Sequence, residues 1–435
     1  MNNTKTNERN GIKMMNKRKA VFKITILFLI AGLLLHGCAK FKARNEGNLA
    51  DHGQESQEGR DGETGQNGES AAGSETRADE NEQDETDRPG GDDAKPGDEG
   101  GHSGSGNSGN GNDGSSSSAG TEGKPGKLSP AELEKVKPNE AGRIMVVMFH
   151  NFIEEYEKGD KEFTMTFDAF RELLGTLYES GYRLISLNDY ISGNINTPAG
   201  FIPMVFTFDD GTSGQFNLVE ENGEFRANPL SAVGIMEEFS KTHPDFGLEG
   251  TFFVNLGNRT FGSAGTLEQR LRYLAGKGFE IGNHTYSHIN LKKDAKTAEI
   301  IQREIGGNQK KMYELIPGYT LNAFSLPYGA PSPQLMQYVI EGEYEGVTYN
   351  NKAIMEVGAE PAPSPFNVRF NPLSISRVRS PGIMPVDQDL TWWLANTKRE
   401  NQYVSDGNPD TVTVPESRAE QVNRDSLGGR ELVIY

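Results

Sequence analysis

Two adjacent carboxylates, Asp209 and Asp210, end the run VFTFDDG at residues 205–211. Neighbouring side chains on a strand point to opposite faces, so two acids can share one locus only where the strand ends and the chain turns. A second cluster lies in HTYSH, where His284 and His288 stand four apart. On a helical turn that spacing brings both imidazoles to one face, as a divalent metal requires. A carboxylate from another strand would complete a site of two histidines and one aspartate with positions open for water and substrate. Zn(II) suits such a set, and Co, Ni, Mn or Fe(II) would also fit. His150 in VVMFHNF and the Pro327-Tyr328-Gly329 turn are further polar strand-end features.

Elements that would position these groups alternate along the chain. Strand-like runs at 143–152, 204–208, 250–255, 279–285 and 322–329 are separated by helical patterns at 167–182, 230–243, 267–278 and 296–315. PQLMQYVIEG and GVTYN extend the series as one more helix and strand. Such alternation predicts a parallel α/β architecture. Repeated βα units without a GxGxxG fingerprint favour a barrel, and barrel chemistry gathers at the C-terminal ends of the strands.

The remainder of the chain reads as delivery apparatus. Lys17, Arg18 and Lys19 precede the apolar stretch AVFKITILFLIAGLLL, and LHGC ends at Cys38, the single cysteine among 435 residues. The apolar run is short for a spanning helix. Residues 1–38 resemble a bacterial lipoprotein signal peptide with Cys38 as the lipidated residue. One cysteine excludes an intramolecular disulfide. Residues 39–138 form an acidic, Gly/Ser-rich stretch that cannot bury enough apolar surface to offset the entropy of ordering, so a disordered linker is expected. The folded domain is then 139–435. A formal charge of −18 with no dense basic patch argues against nucleic acid as a partner.

The motif set as a whole resembles the polysaccharide deacetylase family, also called the NodB-homology or carbohydrate esterase family 4 domain. TFDDG matches Thr207 to Gly211, His284-Thr285 with His288 matches H-[ST]-x-x-H, and Pro327-Tyr328-Gly329 matches the end of R-x-P-Y-G. GTFFVN and MFHNF also look familial, and the likeness spans about 143–395. It implies a distorted (β/α)7 barrel. It also implies Asp210, His284 and His288 as metal ligands, Asp209 as general base, Thr285 as a brace for the histidine loop and the Tyr328 N–H as oxyanion donor.

Two departures stand out. Ser325 occupies the position of the family arginine that pairs with the base, and Arg377 or Arg379 in SISRVRS would have to approach from a late strand, Arg377 being preferred. No histidine follows His288, so the general acid falls to His150. DQDLTWW at 387–393 resembles the family's Asp–Trp motif only loosely, leaving Trp392 and Trp393 as core or sugar-stacking residues. The resemblance implies removal of N-acetyl groups from extracellular N-acetylglucosamine polymers (peptidoglycan, poly-N-acetylglucosamine or chitin-like), and a monomer is expected. The tether and Cys38 imply a lipid anchor, with a Gram-positive envelope favoured over a Gram-negative outer membrane. O-acetyl ester cleavage on xylan-type glycans and a non-catalytic carbohydrate-binding lipoprotein are the alternatives.

Overall fold

The computed structural model describes residues 126–156, 162–358, 360–382 and 386–435. The signal peptide, Cys38 and most of the linker lie outside the described residues. The final stretch of the expected linker is described and carries a helix, Pro130–Val136, none of whose residues is buried.

Nine strands form the principal sheet: β1 (Arg143–Phe149), β2 (Tyr182–Leu184), β3 (Ile202–Asp209), β4 (Thr251–Val254), β5 (Glu280–Asn283), β6 (Ala323–Ser325), β7 (Ala353–Met355), β8 (Ala362–Pro363) and β9 (Val378–Arg379). All eight residues of β3 are buried, the continuous apolar run that a strand covered on both faces requires. It pairs in parallel with β1 on one side, from Met145 opposite Met204 to Phe149 opposite Phe208. On the other side β2 pairs with its first half and β4 with its second. Parallel pairing continues through β5, β6 and β7. Beyond β7 the segment 375–379 closes the ring: Ile375 bridges Met355 at the end of β7, and Val378 and Arg379 of β9 pair with Val147 and Met148 of β1. Short β8 runs antiparallel against the start of β1. The result is an α/β half-barrel curled nearly shut, as expected.

Alternation along the strands sorts two cores. Met145, Val147, Phe149, Met204, Phe206 and Phe208 face outward and pack under helices that include Phe167–Glu179, Ala232–Thr242 and Leu267–Gly276. Ile144, Val146, Val205, Phe253, Ala323 and Met355 share the inner cluster. Counting on by twos places His150, Asp209, Ser325 and Arg377 on that inner face, at or beyond the C-terminal strand ends. The helix Phe167–Glu179 shows how locally the sequence dictates this packing. Thr166 caps it by accepting a hydrogen bond from Ala169 N, and its buried face is Phe167, Phe170, Leu173, Leu174 and Leu177 at helical spacing.

One element differs from the sequence reading. GVTYN supplies no barrel strand. It folds back on Glu341–Tyr344 as an antiparallel hairpin, with Tyr344 opposite Val347, and the next barrel strand is Ala353–Met355. Glu345 and Gly346 form the two-residue turn with φ of 48° and 78°, the left-handed pair that suits the twist of a hairpin.

Candidate active site

Asp209 is the last residue of β3 and is buried with 2% exposure. Arg377 grips it in a fork, Nη1 donating to Oδ1 and Nη2 to Oδ2, each at 2.8 Å. Ser325 Oγ donates to the same Oδ2 at 2.9 Å and accepts from Arg377 Nη2 at 2.9 Å. Arg377 itself is fully buried, its Nε donating to the Glu356 carbonyl at 2.8 Å. The guanidinium that the motif at 325–329 lacks therefore reaches Asp209 from beside β9. Burial alone would raise the Asp209 carboxyl, but Arg377, with His284 and His150, outweighs it and holds the group down at about 2.

Asp210 turns away from its neighbour because it leaves the strand with φ of 81°. Gly211 follows at φ of 65°, and a Cβ there would sit 2.7 Å from Thr260 Cγ2, so the turn demands glycine. Asp210 Oδ1 lies 3.4 Å from His284 Nε2 and 3.1 Å from His288 Nε2. Buried, this oxygen has no hydrogen-bond partner. His284 Nδ1 faces the Ser325 carbonyl at 2.8 Å. That contact assigns the proton to Nδ1 and leaves the Nε2 lone pair aimed at Asp210. Three lone-pair donors thus converge, all within 4.8 Å of one another, and the set fits a divalent cation.

Four non-glycine residues of the site adopt the left-handed region: Asp210, Thr285 (66°), His288 (60°) and Tyr328 (57°). Each conformation costs on the order of 1–3 kcal/mol and persists only where surroundings enforce it. The histidine loop is enforced from outside. Glu304, buried on the helix Ala298–Leu315, accepts from Ser287 N at 3.0 Å and Ser287 Oγ at 2.8 Å, while its carbonyl accepts from Tyr286 N. Asn255 Nδ2 donates to the carbonyls of His284 and Thr285, and Asn283 Oδ1 accepts from Thr285 N. Asn308 ties this set to β4 through Val254 O and Asn283 Oδ1. The Thr285 hydroxyl, expected to brace the loop, is buried without a hydrogen-bond partner, so that work falls to the amides and Glu304.

His150 stands at the end of β1 with Nε2 3.9 Å from Asp209 Oδ2 and its ring 4.8 Å from Phe163. Burial lowers its pKa against the pull of Asp209 and Asp210. Gln215 Nε2 donates to the backbone carbonyls of both His150 and Asp209, clamping the two strand ends together. Tyr328 is 60% exposed with its ring edge-on to His288 at 4.8 Å. Arg379 lies apart from Asp209, over Phe163 at 5.5 Å and 3.7 Å from Glu162. Trp393 packs on the outer core and Trp392 is 41% exposed.

Residues 198–347 match the family model described as polysaccharide deacetylase. This stretch of the chain is similar to the polysaccharide deacetylase family. The matched stretch holds Asp209, Asp210, His284, His288, Ser325 and Tyr328, whereas His150 and Arg377 lie outside it. Among solved structures, the chain is similar to the Streptococcus pyogenes deacetylase PplD in complex with acetate, at 18% identity over 56% of this chain and 94% of that one, TM-score 0.42. A polysaccharide deacetylase from Bacillus cereus aligns at 16% identity over 57% and 67%, TM-score 0.42. IcaB from Ammonifex degensii aligns at 16% identity over 55% and 92%, TM-score 0.38. No curated protein matches the chain.

Sequence reasoning missed Gln215, Asn255, Glu304 and Asn308. Each is a polar residue whose partners are mainly backbone groups on other elements, and nothing local marks such a residue. The one available signal was Asn308 beside Gly306-Gly307 in mid-helix, three poor helix formers with no reason to be there unless tertiary contacts want them.

Proposed function

We propose that this hydrolase is a metal-dependent N-deacetylase acting on an extracellular N-acetylglucosamine-containing polysaccharide. The observation that carries the reading is the division between the two adjacent acids: Asp209 held by Arg377 and Ser325, Asp210 facing two imidazoles. A divalent ion on Asp210, His284 and His288, with Zn(II) as first choice, would supply carbonyl polarisation and a water acidic enough for a weakly basic carboxylate. Asp209 then takes the proton. A carboxylate offers about four lone-pair sites. Arg377 and Ser325 occupy three of those on Asp209, leaving one on Oδ1. His150, poised beside the same carboxylate, returns a proton to the departing amine. The Tyr328 N–H, at an exposed turn, stabilises the oxyanion. The N-terminal sequence adds a lipid anchor at Cys38 and a membrane-tethered, extracytoplasmic location.

Acetate release from N-acetylglucosamine oligomers, peptidoglycan and acetylated xylan by the purified protein tests this, with bound metal measured alongside and Asp209→Asn as control. Release from amino-sugar substrates is expected. Release from xylan alone would replace the N-deacetylase with an O-acetyl esterase. No release above the control would leave a carbohydrate-binding protein.

A further inference from the structure

A second feature adjoins the histidine loop. Gly306 and Gly307 lie in the middle of the helix Ala298–Leu315, where glycine weakens a helix relative to alanine. Packing accounts for the first of them: a Cβ on Gly306 would sit 2.5 Å from Tyr344 Cβ and 3.3 Å from Tyr344 N. No such reason holds for Gly307. A Cβ there would meet only the Tyr344 ring at 3.8 and 3.9 Å and Tyr286 Cβ at 4.0 Å, all ordinary contacts. What that methyl would occupy is the floor of a groove of about 370 Å³ between the two tyrosines. That volume is within the range of small-ligand sites.

Tyr286 and Tyr344 line this groove, and Tyr286 is 39% exposed. The charged residues around them balance. Arg303 lies 3.5 Å from Glu304, Lys310 2.5 Å from Glu345 and Lys311 2.9 Å from Glu314. A groove with aromatic walls and a neutral, hydrogen-bonding rim matches an uncharged pyranose, whose C–H faces stack on rings while its hydroxyls meet polar groups. It does not match a polyanion. Tyr286 also stands midway between His284 and His288, so its Cα lies within about 7 Å of each of theirs.

We propose that the groove between Tyr286 and Tyr344, floored by Gly307, is a subsite for a neutral sugar unit of the polysaccharide, distant from the reacting one; this rests on the glycan reading above. Gly307→Ala gives a test in which stability and binding move in opposite directions. The substitution should raise Tm by about 2 °C through helix propensity. It should cut the ratio of kcat/KM on an N-acetylglucosamine hexamer to that on the dimer about fivefold, with Tyr286→Ala doing the same. Binding of cellohexaose, a neutral hexamer without acetyl groups, should weaken equally by calorimetry. A hexamer-to-dimer ratio and cellohexaose affinity both unchanged in Gly307→Ala and Tyr286→Ala would overturn the subsite. Loss of cellohexaose binding in those variants, with no acetate release by wild type on any glycan, would uphold the subsite and overturn the N-deacetylase reading instead.

Discussion

Arg377 and Asp209 stand 168 residues apart in sequence, yet the two guanidinium Nη atoms lie 2.8 Å from the two carboxylate oxygens, and both side chains are buried. A buried pair of this kind is matched in geometry as well as charge, because only a planar fork can address both oxygens at once. Removing one member leaves the other charged and unpaired. Arg377→Ala should therefore cost about 3–5 kcal/mol of stability by denaturant titration. Arg377→Lys should retain the charge, recover part of the stability and still lose activity, since a single ammonium cannot fix the orientation of Asp209.

His150→Ala should lower kcat by about 10²–10⁴-fold, the usual worth of a positioned proton donor. Metal content, measured by atomic absorption on the same preparation, should stay at the wild-type ratio because His150 is 3.9 Å from Asp209 and is not one of the three converging donors. Loss of metal would move His150 into the ligand set and end its role as acid.

Glu304 touches no expected ligand, but it holds the loop on which His288 sits through Ser287. Glu304→Ala should weaken metal affinity about 10–100-fold, the penalty typical of groups that orient ligands from behind. Glu304→Gln keeps one accepting oxygen and should fall between. Competition with a chelator of known affinity reads the difference directly, and equal affinities in all three proteins would remove Glu304 from the site's support.

A pH effect on stability arises far from the chemistry. Glu140 is buried, and burial together with nearby Asp406 raises its pKa well above 4.5. The folded protein thus binds this proton more tightly than the unfolded chain. The stabilisation is complete below pH 4.5 and is lost as pH rises through the folded value. Unfolding free energy should fall with rising pH across that window, and Glu140→Gln, which cannot ionise, should flatten the slope. An identical slope in the variant would assign the effect elsewhere.

Much of the centre was legible because its pieces are local. TFDDG and HTYSH each carry their own turn: the residues that must enter the left-handed region, Asp210, Thr285 and His288, lie inside the motifs. The inward parity of Asp209 follows from the strand it ends. Arg377 was legible only as a candidate, since a guanidinium in SISRVRS acquires meaning from the partner that ring closure brings to it. The hairpin at 341–350 was misread for a different reason. GVTYN has strand composition, and the turn that decides its partner is Glu345-Gly346, a weaker hairpin signal than Asn-Gly. Apart from Asn308 beside its two mid-helix glycines, the amide supports left no sequence signal because their partners are mainly backbone groups on other elements.

The closing segment 375–379 gives the barrel a property of timing. Proteins are made from the N-terminus onward, and the ring cannot shut until this late stretch has been made. The residue that clamps Asp209 travels on the same stretch. A chain made only as far as the proline-tyrosine turn already carries both acids and both histidines but not the guanidinium. Ring closure and the gripping of Asp209 are therefore a single event, and neither is complete before the last barrel strand is in place.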